Sequence, residues 1–231
     1  GYIKILPLMK ETLKSVDAFS MIRASDAERI KRMGAPGNRI EVNGNAKYDL
    51  LLKQVDGTDR EKMKRLYKLR GDSSVFMAGS IRGAEERIII DVYEKIVQAH
   101  PEVILMIAPR HVERSRHIEE MARERGFSYQ FRTDLDKESR PRTASVVIID
   151  MIGELQSTYS IASIVFCGGS LVPLGGQNIL EAAVWGKPVF YGPSMEDFLD
   201  AKDLLDKTGG GIQVRDGREL AEKALYFFDH P

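Results

Sequence analysis

Short apolar runs alternate with stretches of helical spacing along almost the whole chain. The runs with strand character are Phe19–Ile22, Ile40–Val42, Val75–Ala78, Val103–Ala108, Val146–Ile149, Ile164–Cys167 and Val189–Tyr191. Helices are predicted at Asp26–Met33, Arg60–Leu69, Ala84–Ala99, Val112–Arg125, Gly153–Ala162, Asn178–Trp185, Asp197–Lys207 and Arg218–Phe228. Because many of the strands are apolar at every position, we expect burial on both faces, as in a parallel sheet with helices on either side. The sequence therefore predicts an α/β fold built on a doubly wound parallel sheet.

A change in composition around residues 48–59 predicts a domain boundary. The motif VNGNAKYDLL ends there, and a polar connection, KQVDGTD, follows it. The one or two strands and helices upstream are too few to close a core of their own. We therefore expect residues 1–48 to be the C-terminal remnant of a preceding domain, residues 49–231 to form a second domain, and the chain to be cut at both ends. The polar stretch Thr133–Thr143 is predicted to be a loop.

The balance of charges and the absence of several ligand spacings exclude whole classes of function. Lysine plus arginine and aspartate plus glutamate both number 34, so no overall charge favours a nucleic acid or a membrane surface. The single cysteine, Cys167, lies in an apolar run and is interpreted as a buried strand residue. No segment has the length of a spanning helix or the pattern of a secretory signal. Zinc-ligand, GxSxG and Walker patterns are missing, so we expect no metal, no cofactor and no nucleic-acid partner.

The glycine-rich segment Gly168–Pro193 carries the strongest indication of a ligand. Glycines allow backbone N–H groups to approach a phosphate, and the start of the following helix favours negative charge. The candidate residues at this helix start are Gly175, Gly176, Gln177 and Asn178. Glu181, about one turn further along, is placed to accept hydrogen bonds from ribose hydroxyls. The alternative interpretation is that the glycines form close-packing turns and Glu181 is a solvated helix residue.

A second turn, after the strand that ends at Ala78, contains Ser80 and Arg82. Ligands of doubly wound sheets bind at the carboxyl edge of the strands, where this turn is expected to lie. Ser80 and Arg82 are therefore candidate ligand-binding residues. The alternative is a plain helix start at which Glu85 and Glu86 interact favourably with the helix dipole.

Arg110, directly after the next strand, is the strongest single candidate. Its planar guanidinium follows the rigid Pro109 and is suited to a phosphate, including one that gains charge as a leaving group. His111 either assists Arg110 or is a surface group. Arg114 and Arg116 are interpreted as part of a solvated helix start.

A further turn, made by Ile152, Gly153 and Glu154, also follows a predicted strand. Backbone groups at such a turn can bind the edge of a base while apolar side chains flank its face. The alternative is an ordinary strand-to-helix turn with Asp150 as the N-cap.

The combination of these motifs resembles the 3-deoxy-D-manno-octulosonic acid (Kdo) transferases. The matching segments are Asn43–Asp49, the Ser80 turn with Glu85 and Glu86, Ala108–Arg114, Gly153–Leu155, Gly168–Leu171 and Gly176–Glu181. The resemblance implies a GT-B glycosyltransferase whose Rossmann-like C-terminal domain binds CMP-Kdo and whose N-terminal domain binds a lipid A precursor. Residues 1–48 would then be the end of the acceptor-binding domain. Ile81 and Arg82 depart from the threonine and histidine that the family often has there.

The resemblance also implies roles for individual residues. Arg110 and the turn of Gln177 and Asn178 would bind the CMP phosphate, Glu181 the ribose, and the Ile152–Glu154 turn the cytosine. The reaction is expected to be inverting and metal-independent, with Arg110 stabilising the departing phosphate. The family's catalytic base is a glutamate near the start of the full protein, outside this sequence, so this fragment alone is expected to be inactive. The intact enzyme is expected at the cytoplasmic face of the bacterial inner membrane.

Two other functions remain open at the level of sequence. One is a UDP-sugar 2-epimerase-like enzyme, since such enzymes share two facing Rossmann-like domains and are expected to prefer a uridine nucleotide. The other is an isolated nucleotide-binding module without activity of its own.

Overall fold

A computed structural model of the chain describes residues 6–53, 55, 57–71, 73–136 and 141–231. The chain divides into two units, Gly1–Lys53 and Gln54–Pro231. The boundary predicted between residues 48 and 49 lies inside a helix, Ala46–Lys53, and the division falls where that helix ends. The assignment of the first unit to a preceding domain stays a prediction.

The first unit contains two short parallel strands and three helices. Its elements are α1 (Leu6–Lys14), β1 (Phe19–Met21), α2 (Ala24–Arg32), β2 (Ile40–Val42) and α3 (Ala46–Lys53). Phe19 lies opposite Ile40 in the pair of strands. The Arg39 guanidinium donates to the carbonyl oxygens of Lys14 and Val16 at 2.8 and 2.9 Å, which satisfies acceptors at the end of α1.

The second unit is built on a seven-stranded sheet. Its strands are β3 (Val75–Ile81), β4 (Ile104–Pro109), β5 (Tyr129–Phe131), β6 (Val146–Ile148), β7 (Ile164–Cys167), β8 (Val189–Tyr191) and β9 (Gly211–Gln213). Its helices are α4 (Gly57–Leu66), α5 (Glu85–Ala99), α6 (Ser115–Glu124), α7 (Leu155–Thr158), α8 (Leu180–Ala183), α9 (Leu199–Thr208) and α10 (Gly217–Asp229). The strand order is β5-β6-β4-β3-β7-β8-β9, and every pair is parallel. The predicted doubly wound parallel sheet is confirmed.

The core lies on the inner strands. Every residue of β4, β6, β7 and β8 is buried, as the unbroken apolar runs predict. Cys167 is only 1% exposed, which confirms its interpretation as a buried strand residue. On one face α5 packs against α10, and the Phe190 and Phe227 rings meet edge to face with centroids 5.6 Å apart.

Two strands and several helix bounds differ from the sequence-based prediction. The strands β5 and β9 were not predicted because they form the two edges of the sheet, where partial exposure allows polar residues and glycine. The predicted helix Gly153–Ala162 is a short α7 followed by a 3-10 turn, Tyr159–Ile161. The predicted helix Asn178–Trp185 shortens to α8, since the Asn178 side chain accepts from the Leu180 N–H at its start and the left-handed Gly186 follows its end.

The predicted loop Thr133–Thr143 is wrong in its first part. Residues Arg132–Asp136 form a 3-10 turn, and the side chain of Arg132 is buried. Residues 137–140 of that prediction lie outside the described residues.

The strand order reverses beside β3, and the candidate site is expected at this reversal. From β3 the chain builds β4, β5 and β6 on one side of the sheet and then crosses to β7 on the other. The loops after β3 and β7 therefore leave neighbouring strand ends in opposite directions. A crevice forms between such loops, and ligands of doubly wound sheets bind there.

Candidate functional site

The loop after β7 touches the last residues of β3, which runs on to Ile81, so Ser80 lies within the strand and not in a turn after Ala78 as predicted. The Gly168 N–H donates to the Gly79 carbonyl at 2.8 Å, and a Cβ added to Gly168 would lie 2.5 Å from the Ser80 carbonyl oxygen. Only glycine fits such a close approach of two backbones. Ser80 has a left-handed backbone (φ 54°), which is uncommon for a residue with a side chain and is typical of constrained positions near ligands.

The turn predicted to hold the phosphate is well ordered by internal hydrogen bonds. Gly175 and Gly176 are both left-handed, with φ of 80° and 81°. Their N–H groups donate to the Ser194 hydroxyl at 3.0 Å and the Gly169 carbonyl at 2.8 Å. These two N–H groups are therefore occupied inside the protein, so the glycines contribute shape to the turn. Among the described residues, Gln177 has no hydrogen-bond partner, and its donors remain for a ligand.

Asn178 organises the next part of the turn. Its side-chain oxygen Oδ1 accepts from the Leu180 N–H at 3.2 Å, at the start of α8, and its side-chain NH₂ donates to the Glu181 carboxylate at 3.2 Å. The Asn178 amide is thus used to start the helix and to orient the Glu181 carboxylate. Glu181 is a partly buried residue of the crevice, which differs from the solvated helix residue of the alternative interpretation.

Arg110 and Glu181 are electrostatically coupled. Burial raises the pKa of Glu181, while the hydrogen bond from Asn178 and the positive charge of Arg110 act in the opposite direction. The exposed Arg110 follows β4, and its N–H donates to the Ile81 carbonyl at 2.9 Å, so its backbone is tied to the end of β3. The two side chains thus belong to loops on opposite sides of the strand-order reversal, and the charge of Arg110 acts on the Glu181 carboxylate.

His111 and Arg114 turn away from this pair. The exposed His111 ring lies 3.8 Å from the Glu113 carboxylate, on its own side of the loop. Arg114 makes two hydrogen bonds to the buried Glu86, at 2.8 and 2.6 Å, so it anchors the loop to α5 and is not simply solvated. Arg116 is exposed and pairs with Glu119 at 2.8 Å, as expected for a helix start.

In the Ile152–Glu154 turn, the apolar side chain of Ile152 is exposed and the carboxylate of Glu154 is held by hydrogen bonds. Ile152 is 87% exposed, and Gly153 is left-handed with φ 102°. The Glu154 carboxylate accepts two hydrogen bonds from Arg132, at 2.8 and 2.9 Å. Asp150 accepts from the Thr133 N–H and hydroxyl at 3.1 and 2.6 Å, so its predicted alternative role as an N-cap is wrong.

Sequence patterns missed Arg132, which lies directly before the segment predicted to be a loop. Its side chain is only 2% exposed, and it binds Asp136 at 2.6 Å in addition to Glu154. The guanidinium also lies over the Tyr67 ring, 5.4 Å from the centroid. A lone arginine in a polar stretch has no spacing that distinguishes it, so only the folded chain identifies it as an anchor.

The structure also gives Glu85 a role that the sequence did not indicate. The alternative for the Ser80 turn placed Glu85 and Glu86 at a plain helix start, but both are buried. The Glu85 carboxylate accepts N–H donors from the loop after β7, including Gly169 at 2.6 Å. Arg82 also links the two loops, since its guanidinium donates to the Leu174 carbonyl at 3.3 Å.

The described residues contain neither a metal-binding cluster nor a membrane-spanning helix. Across the described ranges, no group of three or more histidine, cysteine, aspartate or glutamate side chains is arranged to hold a metal ion. In the same part of the chain, no helix combines the length and the apolar character needed to cross a bilayer.

Comparison with known proteins gives a consistent family. Residues 1–50 match the family model for 3-deoxy-D-manno-octulosonic-acid transferase (kdotransferase). A 3-deoxy-D-manno-octulosonic acid transferase of Aquifex aeolicus is 32% identical over 96% of this chain and 57% of its own length. This chain is a relative of the Kdo transferases.

A glycosyltransferase and a solved structure are also similar to this chain. A bifunctional glycosyltransferase/methyltransferase of Fusobacterium nucleatum is also 32% identical, over 96% of this chain and 34% of its own length. The chain thus spans about a third to three fifths of these relatives. The crystal structure of the C-terminal CMP-Kdo binding domain of WaaA from Acinetobacter baumannii covers 79% of this chain and 91% of that one, with TM-score 0.67 and 23% identity.

The same fold recurs in a nucleotide-sugar epimerase. UDP-GlcNAc 2-epimerase from Neisseria meningitidis, bound to UDP-GlcNAc, matches with TM-score 0.60 and 16% identity, over 93% of this chain and 53% of that one. At these identities the structural matches show the fold alone. They confirm the Rossmann-like, GT-B type of architecture that the sequence predicts.

Proposed function

We propose that this chain is the donor-binding part of a glycosyltransferase that transfers Kdo from CMP-Kdo to a lipid A precursor in lipopolysaccharide biosynthesis. The observation that carries the proposal is that Arg110 and Glu181 follow strands on the two sides of the strand-order reversal, and that the positive charge of Arg110 lowers the pKa of the Glu181 carboxyl. Recognition of a nucleoside monophosphate needs a cationic group for the phosphate and hydrogen-bond acceptors for the ribose hydroxyls. Kinship with Kdo transferases supports CMP-Kdo as the nucleotide sugar.

Each part of the nucleotide has a partner of suitable chemistry in this proposal. The Arg110 guanidinium pairs with the phosphate, and the unpartnered Gln177 donors supply further hydrogen bonds. The Glu181 carboxylate, held by Asn178, accepts from the ribose hydroxyls. The exposed Ile152 covers a face of the cytosine ring, while the backbone of its turn binds the ring edge.

The reaction proposed is an inverting displacement without a metal. An acceptor hydroxyl oxygen attacks the anomeric carbon of Kdo, and the bond from that carbon to the phosphate oxygen breaks. CMP departs with the electron pair, and Arg110 stabilises its negative charge. The acceptor proton passes to a base from the N-terminal part of the intact enzyme. We place that enzyme at the cytoplasmic face of the inner membrane, and we propose that residues 1–231 alone bind nucleotide without transferring sugar.

Calorimetric titration with CMP and UDP tests the donor assignment. We expect CMP to bind more tightly than UDP. Arg110→Ala should raise the Kd for CMP by about 10- to 150-fold, the loss of about 1.5–3 kcal/mol for a charge-assisted hydrogen bond. Arg116→Ala is the matched control, since this exposed arginine contacts Glu119 outside the crevice. Tighter binding of UDP would favour the epimerase-like function instead, and sugar transfer by this chain alone would contradict the proposed missing base.

A further inference from the structure

The Glu85 carboxylate accepts hydrogen bonds from three consecutive backbone N–H groups in the loop after β7. Its Oε1 accepts from Ser170 and Leu171 at 2.9 and 2.8 Å, and its Oε2 accepts from Gly169 at 2.6 Å. Oε2 also accepts from the Arg82 N–H at 3.0 Å. The residue is 0% exposed, so water does not compete for these bonds. One carboxylate therefore joins the loops after β3 and β7.

Consecutive N–H groups that converge in a turn normally form a site for an external anion. Here the anion belongs to the protein. A buried carboxylate is tolerated because several donors satisfy it, and the donors are satisfied by the carboxylate in turn. An external phosphate is thus excluded from Gly169–Leu171, and the next turn, around Gln177, is the place left for it.

The loop held by Glu85 is connected by hydrogen bonds to the next turn, around Gln177. The Gly169 carbonyl accepts from the Gly176 N–H at 2.8 Å. The Ser170 carbonyl accepts from the Ser194 N–H at 3.0 Å, and the Ser194 hydroxyl in turn accepts from the Gly175 N–H at 3.0 Å. Hydrogen bonds therefore link the loop held by Glu85 to both Gly175 and Gly176, the left-handed glycines before Gln177.

The neighbouring Glu86 provides an internal comparison. It is as buried as Glu85, and it lies on the same first turn of α5. Its carboxylate, however, pairs with Arg114 and approaches His117 at 3.7 Å. Two adjacent buried carboxylates thus point to different elements, and only one of them contacts the loop after β7 in the described structure.

We propose that Glu85 is a positioning residue for nucleotide binding: it is an internal anion that holds the loop after β7 so that the Gln177 turn faces the phosphate. The identity of the nucleotide rests on the proposed function above. The positioning itself does not, because the hydrogen bonds that carry it all lie within the protein.

Amide NMR spectra of the ligand-free protein test the positioning directly. Glu85→Gln keeps the size of the side chain but removes its charge and turns an NH₂ group toward N–H donors. We expect the amide resonances of Gly169–Leu171 to move upfield and those of Gly175–Gln177 to shift with them. Glu86→Gln should leave both groups of resonances in place. If the amide resonances of Gly175–Gln177 keep their wild-type positions in Glu85→Gln, the proposal is overturned.

Nucleotide titration gives the second measurement. We expect Glu85→Gln to raise the Kd for CMP at least tenfold, and Glu94→Gln, a control on α5 whose carboxylate pairs with Arg125, to keep it within twofold of wild type. A Glu85→Gln affinity within twofold of wild type would overturn the proposal. If the wild-type protein binds no CMP, the proposed function fails, while the ligand-free spectra still decide the positioning.

Hydrogen exchange of the wild-type protein covers the case in which Glu85→Gln does not fold. The amides of Gly169, Ser170 and Leu171 lie outside any helix or strand, yet they are expected to exchange as slowly as those of β7. Rapid exchange at these three amides would overturn the proposal. Glu85→Asp, which keeps the charge on a shorter side chain, is expected to retain partial protection there and an intermediate affinity for CMP.

Discussion

The pair formed by Arg132 and Glu154 allows a sharp test of how the turn that we propose to bind the base is held. Arg132→Leu removes a guanidinium that makes two hydrogen bonds to Glu154 and one to Asp136. Breaking a buried ion pair by removing one partner costs about 3–5 kcal/mol. Because Glu154 is 21% exposed and can be rehydrated, we expect the lower end, about 3 kcal/mol. For a unit of this size that corresponds to a fall in Tm of about 6–12 °C.

Urea unfolding of wild type, Arg132→Leu, Glu154→Gln and the double variant measures this coupling. Glu154→Gln keeps an acceptor for the guanidinium, and Asp136 still balances the charge of Arg132, so we expect the smaller loss of about 1.5–3 kcal/mol. The double variant should be more stable than the sum of the two losses by about 0.5–3 kcal/mol, as expected for groups in contact.

Ligand titration of the same variants separates anchoring from direct recognition. If Glu154 acts through its bond to Arg132, then Arg132→Leu weakens CMP binding at least as much as Glu154→Gln does. An unfolding free energy of Arg132→Leu within 1 kcal/mol of wild type, about the size of a typical single hydrogen bond, would refute the anchoring role. Unchanged CMP affinity in Arg132→Leu would separate the anchor from the site.

Three further predictions concern the crevice and the strands below it. Burial raises the pKa of Glu181, so the folded state holds its proton more tightly than the unfolded chain, and this residue's contribution to stability falls as pH rises from about 4.3 through the raised folded value. Glu181→Gln should therefore raise Tm at pH 7 while weakening CMP binding; a lower Tm would contradict this. Gly168→Ala, whose Cβ meets the backbone of Ser80, should destabilise the protein by about 1–3 kcal/mol in urea unfolding. Gly57→Ala, which enters open space, is its control, and equal stability of the two variants would contradict the close approach. Burial also raises the pKa of the Cys167 thiol, so its alkylation should require unfolding, and labelling of the native protein at the rate of a free thiol would show otherwise.

The inner part of the fold followed from sequence because it rests on local composition. Unbroken apolar runs predicted β3, β4, β6, β7 and β8, and the structure buries them on both faces. The edge strands β5 and β9 were missed because an edge position does not require a continuous apolar run.

The site was predicted in outline and differs in its details. Glycine spacing and strand ends directed attention to the loops after β3, β4, β6 and β7, and the positive charge of Arg110 acts on Glu181. The glycine N–H groups themselves are occupied by Glu85, Gly169 and Ser194, which no local pattern indicates. Whether the site residues bind CMP-Kdo stays a prediction.

The order of apolar and polar residues along this chain by itself determined an α/β sheet of parallel strands, because burial on both faces demands that composition. The tertiary structure alone decided which buried charges hold the loops, namely Glu85 on Gly169–Leu171 and Arg132 on Glu154. These partners are far apart in sequence, and a charge is admitted to the interior only where the fold supplies its hydrogen bonds.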